Sequence, residues 1–337
     1  MENDLLGDSI EQLLAGCATP KSVREIEGGA PTAALWQAIE DSGFCDALVA
    51  ESKGGAGLGL RDVFSIFEAC GRHTLPLPLA QTMAARALLT QAGQTPPAGP
   101  IALAGAPRSS GEAIAVSYGA VADWVLAGDA STLWLLDARQ AERRRDTGSA
   151  DGFLSWSSAA LEKPALRFDS TVDLRCVEAC LLAAQLSGAL RRVLAVTLQY
   201  ANDRVQFGRS IGKFQAIQHQ LSVMAEHTEA SRMAARMACA TDAIVPDPLT
   251  AAVAKARTSE AVVTVAAMAH GVHGAIGVTE EYDLQLLTRR LHAWRLAAGS
   301  ESYWNIRIGR ALLDSPHASV PDFVRTELAP AAASSHP

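Results

Sequence analysis

The chain has 337 residues, 49% of them hydrophobic and 19% charged, with 29 Lys and Arg against 36 Asp and Glu for a formal charge of −7. That length exceeds one small core and calls for two or three packed units, and the acidic balance excludes a field that gathers nucleic acid or an anionic membrane surface, so an anion must be bound locally. The six cysteines show no CxxC spacing, and Cys176 and Cys180 lie four apart without a histidine cluster, which reads as reduced, buried thiols with no metal site and no disulfide.

The opening MENDLLGDSIEQLL carries four acids and no basic residue before Lys21, unlike a secretory signal or transit peptide, so a cytoplasmic location is expected. SIEQLLAG, TAALWQAIEDSGF and LRDVFSIFEACGRH read as helices, the last with Val63, Phe64, Phe67 and Cys70 at helical spacing. AESKGGAGLG is too glycine-rich for a helix, and the prolines of TLPLPLA interrupt the pattern. Residues 1–92 are therefore expected to form a helical domain. From 93 to 168 the texture changes to short β-type runs, IALAG, IAVSYGAVADWVLAGD, STLWLLDA and FLSW, separated by Gly, Ser and charged turns. Long amphipathic runs follow at 174–201, 215–240, 248–273, 283–295 and 301–313, with Asp173 or Thr171 as the first cap and Asp247 as the third. They predict a four- or five-helix bundle over 169–325, with residues 326–337 as a disordered tail. The fold class is thus α+β and mainly α. The uncharged stretch 261–279 nears the length of a membrane span, but its His270, His273 and closing glycines suit a helix buried in a bundle.

Residues 203–219 read DRVQFGRSIGKFQAIQH and set Arg204, Arg209 and Lys213 around two glycines and two phenylalanines. A packing element has no use for that set, whereas a site for an anionic, aromatic ligand uses all of it. The alternative is a solvated helix face on which Arg204 pairs with a neighbour such as Asp203 and Phe207 enters the core.

Residues 200–219, YANDRVQFGRSIGKFQAIQH, resemble the signature of the acyl-CoA dehydrogenase family of flavoenzymes. HGAIGVTEEYDLQLLTRR at 273–290 resembles the family's HGGxGYTxE segment, and AAGSESYWNIRIGRALL at 297–313 its closing helix. AESKGGAGLG and EACGRHTLPLPLA resemble its first domain, so the likeness spans nearly the whole chain and is weakest over 95–168. The resemblance implies FAD, held at its adenine and pyrophosphate end by two subunits. Arg204 would offer a bidentate fork to pyrophosphate oxygens, Phe207 a ring against the flavin or ribityl chain, Gly208 close backbone approach and Gln215 an amide. The turn containing Gly271, Val272, Gly274 and Ala275 would present backbone N–H groups to the dinucleotide, and Ser300 of the closing block joins the set.

Several positions depart from the family pattern. Ala298 stands where most members carry their catalytic Glu, Gly271 where they carry Gln, and Ala275 replaces the second Gly of the pair. The segment expected to wrap the isoalloxazine has only GSADG at 148–152 as an echo of the family's loop. One subset of the family places its base on the first bundle helix, 22 residues before the aromatic residue that opens the signature, which from Tyr200 reaches Glu178. The bland reading of Glu178 is an exposed acid or a partner of Arg175.

By resemblance, the chain is an FAD-dependent acyl-CoA dehydrogenase subunit that forms a 2,3-double bond in an acyl-CoA thioester, with Glu178 as base and an electron-transfer flavoprotein as acceptor. It looks like the short, incomplete members that pair with a fuller homologue in heterotetramers acting on steroid or other bulky acyl-CoAs; a homo-oligomer stays open. The rival readings are a catalytically silent partner that completes the FAD site of a homologous dehydrogenase, an oxidase or monooxygenase-like relative, and a helical scaffold without cofactor.

Overall fold

The structure, a computed structural model, describes residues 5–328. Five helices come first: α1 (Leu5–Cys17), α2 (Pro20–Glu27), α3 (Ala33–Asp41), α4 (Leu60–Arg72) and α5 (Leu79–Gln91). Thr19 caps α2 by accepting from the Ser22 amide, and Pro20 occupies the first turn, where its missing N–H costs nothing. Helix α5 was not expected as such. Its residues 79–89 are buried on every side, so it lacks an amphipathic period, and Pro78, which looks like a breaker, is its N-cap.

The middle of the chain folds into strands β1 (Ile101–Gly105), β2 (Ile114–Val116), β3 (Trp124–Gly128), β4 (Thr132–Asp137), β5 (Glu142–Arg145), β6 (Gly152–Ser155) and β7 (Leu166–Asp169), with the short helix α6 (Ser158–Glu162) before β7. One sheet has the order β1-β3-β4-β7 and the other β2-β6-β5. Only β1 and β3 pair in parallel; the remaining ladders of both sheets are antiparallel. Val116, Leu154 and Trp156 meet Ala102, Val125 and Leu136 in the core between them. The run 114–129 is therefore two strands in different sheets. Between them Tyr118 is fully buried at φ 61°, held by its amide donating to Asp151 Oδ1 at 2.7 Å.

The bundle comprises α7 (Leu174–Asp203), a hairpin of β8 (Val205–Gln206) and β9 (Arg209–Ser210), α8 (Gln215–Ala238), α9 (Pro248–His273), α10 (Leu284–Leu296), α11 (Glu301–Leu313) and α12 (Val320–Glu327). Asp173 caps α7 through the Cys176 amide, and Asp247 caps α9 through those of Leu249 and Thr250. Helix α12, opened by Ser319, carries regular structure through Glu327, past the expected start of the tail at 326; residues 329–337 lie outside the described residues. Helix α7 and the segment 248–278 are long and apolar enough to cross a membrane, yet 72% of the apolar window of α7 is buried inside this fold. It packs on α4, α8, α9 and α10.

Two glycines set the closest crossing. A Cβ on Gly188 of α7 would stand 1.9 Å from the Glu68 carbonyl of α4, and one on Gly71 would stand 1.8 Å from the Gln185 carbonyl. At that crossing the buried Glu68 receives Arg191 Nη1 of α7 at 3.0 Å and Arg232 Nε of α8 at 2.7 Å. A second buried pair, Glu27 with Arg290, joins α2 to α10, and Arg290 also faces Asp151 at 3.8 Å next to β6. The three regions are thus tied by ion pairs centred on the buried Glu27, Glu68 and Arg290. Replacing Gly188 by Ala forces backbone against backbone, with no flexible side chain to yield. G188A is expected to lower the unfolding free energy by at least about 2 kcal/mol, read from chemical denaturation against wild type.

Candidate active site

The β-sheets, the start of α7 and the turn between α10 and α11 enclose a cleft of about 500 Å³, a size that suits a small-molecule site. Its walls are Ala104, Gly105 and Ala115–Ser117 from the strands, Asp151–Phe153 from β6, Arg175 and Glu178 from α7, and Leu296–Gly299 from the turn. A second cavity of about 420 Å³ adjoins it, sharing Gly105 and Arg175 and reaching Asp129, Asp173 and Tyr303.

Glu178 faces this cleft from the second turn of α7 and is only 7% exposed. It forms no ion pair with Arg175, whose exposed guanidinium instead lies 5.2 Å from the Tyr303 ring. Burial pushes the Glu178 carboxyl up to about 7, against the pull of a hydrogen bond from Ser117 and the positive charge of Lys255; Asp151 raises it and Arg175 lowers it. A carboxyl in that range can take a proton near neutral pH. Opposite it, Ala298 sits at φ 53° and Gly299 at φ 102°, and the Trp304 indole donates to the Ala298 carbonyl at 3.1 Å. Ala298 lines the cleft and also packs against the small cluster of Ala179, Ala252, Ala256 and Trp304.

The structure separates the expected residues into two groups. Arg204 caps the C-terminal end of α7; Phe207 and Gly208 form the tip of the hairpin, at φ 53° and 78°; Gln215 begins α8; Gly271, Val272, Gly274 and Ala275 close α9. These ends come together, with Tyr200 stacked on His273 at 4.3 Å. Ser300, the N-cap of α11, is the exception, lying at the other end with Glu178. Phe207 is 92% exposed and so is not core. Arg204 is exposed and has no ion pair among the described residues; Asp203 accepts from Gln199 instead. The Val272 side chain packs with Ala201 and Ile211, leaving only its backbone for a ligand. Helix α9 ends at His273, where the Gly274 amide bonds to His270 O, and a 3₁₀ turn spanning Gly274–Val278 follows directly.

Reasoning from sequence missed Ser117, Asp151 and above all Lys255, a fully buried amine on α9 that donates to Arg295 O and Gly299 O behind the cleft. Its signal was a lone lysine in the apolar run AAVAKARTSEAVVTVAA.

A helical unit, a pair of small sheets and a helical bundle, the last two enclosing one buried carboxylate, define a three-part enzyme fold. The chain belongs to the acyl-CoA dehydrogenase family. The pattern of the acyl-CoA dehydrogenase C-terminal domain matches residues 176–313. The acyl-CoA dehydrogenase IpdE2 of Mycolicibacterium smegmatis is 32% identical over 299 residues, covering 86% of this chain and 92% of that one. Among solved structures, the ChsE4-ChsE5 complex from Mycobacterium tuberculosis shares the fold with a TM-score of 0.78 at 23% identity, over 94% of this chain and 99% of that one. The Tcur3481-Tcur3483 steroid ACAD does so with 0.73 at 25% identity, over 92% and 97%.

The raised carboxyl makes a signed prediction. Between the usual 4.5 and about 7 the folded chain holds a proton on Glu178 that the unfolded chain has lost, so this group costs stability increasingly as pH rises through that window. Gln copies the protonated form. E178Q is therefore expected to match wild type near pH 4.5 and to exceed it by about 3 kcal/mol above pH 7, measured by denaturant unfolding across pH.

Proposed function

We propose that this chain is a subunit of an acyl-CoA dehydrogenase in which Glu178 removes the α-proton of an acyl-CoA thioester, and that its FAD sites are shared with a second, homologous subunit. The observation that carries the reading is the buried Glu178 carboxyl, held near neutral pKa in the cleft across from Ala298. Bound FAD supplies the acceptor for the β-hydrogen, which leaves as hydride while the 2,3-double bond forms. The carboxylate takes the α-hydrogen as a proton from its fixed place on α7. The Ala298 backbone N–H is the group of this turn from which a contact to the thioester oxygen would come, and such a contact needs no side chain at 298.

The residues present fit the dinucleotide end of FAD. An exposed aromatic ring on a left-handed backbone position and an exposed, unpaired arginine are costly for a lone chain and useful against a bound, anionic cofactor. Phosphate recognition would draw on Arg204, beside Phe207, Gly208 and Gln215, together with backbone N–H groups of the 271–275 turn. Along α7, Glu178 and Arg204 are separated by roughly 39 Å at 1.5 Å per residue, more than one FAD can bridge. A cofactor held by Arg204 therefore serves the cleft of a different subunit. The outer face of α9, with Val263, Ala267 and Gly271 exposed, gives such a subunit an apolar surface to cover. The hetero-complex and the steroid enzyme among the fold relatives support a mixed assembly acting on a bulky acyl-CoA; an electron-transfer flavoprotein as acceptor and a cytoplasmic setting complete the proposal.

Co-expression with a homologous dehydrogenase subunit is expected to yield a yellow complex with more flavin per chain than this protein purified alone. In that complex E178Q is expected to lower kcat by at least about 10³-fold while flavin content holds, and R204A to strip flavin. Full activity in E178Q would leave the silent-partner reading.

A further inference from the structure

We propose that Lys255 is a positioning residue for the base: one buried ammonium pins the turn that faces Glu178 and supplies the cation that keeps Glu178 ionisable. This rests on the reading of Glu178 as the base.

Lys255 lies on the second turn of α9 and is completely buried. Its Nζ donates to Ser259 Oγ at 3.0 Å, Arg295 O at 2.8 Å and Gly299 O at 3.0 Å. An ammonium has three N–H groups, and each finds an oxygen; a neutral amine would turn a lone pair toward one of those oxygens. The site is thus built for the charged form, although burial pulls the amine down to about 7. Two of the acceptors bracket the turn, Arg295 O in the last turn of α10 and Gly299 O just ahead of α11.

The turn needs that hold. Ala298 and Gly299 both have positive φ, a conformation that an alanine adopts only at a cost. Trp304 takes the Ala298 carbonyl and Arg295 pairs with Glu301, so Lys255 completes a set of clamps around residues 295–301. The peptide so fixed shares the cleft with Glu178.

The charges that face the pair can be enumerated. The charges of Lys255 and Arg175 favour the ionised Glu178 and that of Asp151 opposes it, with Asp146 a further acid on the cleft wall; Lys255 in turn is stabilised as a cation by Glu178 and Glu301 and opposed by Arg295. Asp151 works against ionisation of Glu178. Arg175 works for it but is exposed and screened by water. Of the two cations that favour the ionised Glu178, Lys255 is the buried one, so its removal leaves the Ser117 hydrogen bond and a screened Arg175 against desolvation and Asp151.

The test needs no substrate. Protonation of Glu178 is followed in the full-length protein by its carboxylic C=O stretch in infrared difference spectra, with E178Q as the blank, in wild type, K255M and K255Q. Gln keeps two N–H donors for the turn without the charge, and so provides a folded variant should K255M fail to fold. The expected result is an apparent Glu178 pKa higher by at least about one unit in either variant, with faster amide hydrogen exchange over residues 297–300 in K255M. A folded variant with the wild-type Glu178 titration overturns the electrostatic role, and unchanged exchange in folded K255M overturns the pinning. A merely structural lysine would alter stability and leave the titration in place. Activity of E178Q in the assembled enzyme is read separately: if it persists, the assignment of the base fails whatever the spectra show.

Discussion

Everything around the cleft depends on how closely α4 lies against α7. Gly71 and Gly188 bring the two backbones to a separation at which a single methyl would collide with a carbonyl, and Glu68 binds arginines of α7 and α8 at the same crossing. Breaking a buried, doubly paired carboxylate is costly because the abandoned charges stay desolvated. The crossing therefore fixes α7 both in distance and in rotation. Since Glu178 projects from the same rod three turns earlier, its direction into the cleft is decided by helix packing and not by a loop.

The long helices of the bundle were legible because their length and their caps agree. Asp173 and Asp247 each precede an apolar run and each accepts from the amides that a helix start leaves unpaired. Helix α5 was not legible, since a helix buried on all faces has no period and Pro78 reads equally as a cap or a breaker. Strand β5, with the sequence ERRR, escaped for the opposite reason: as an exposed edge it has no apolar alternation to show. The run 114–129 concealed a change of sheet, because the residue that turns the chain is Tyr118, an unusual occupant of positive φ that Asp151 and the buried surroundings of its ring hold in place.

The site divides along the same line. Residue identity pointed to Arg204, Phe207 and Glu178, and the structure shows that the first two are exposed while the third is buried, which no local pattern states. That these groups lie at opposite ends of one helix is invisible in sequence until the helix is seen to run unbroken from Leu174 to Asp203. Lys255 was passed over because a single lysine on an alanine-rich helix normally reaches water; only the carbonyls of Arg295 and Gly299, some forty residues later in the chain, give it a reason to stay inside.

A carboxylate carried on a packed helix has its backbone fixed by that packing. The cleft that it faces is bounded elsewhere by the turn that carries Ala297 and Ala298. On the proposed reading, an acyl group reaches the acid through that cleft, since the rod that carries the acid is packed on α4, α8, α9 and α10.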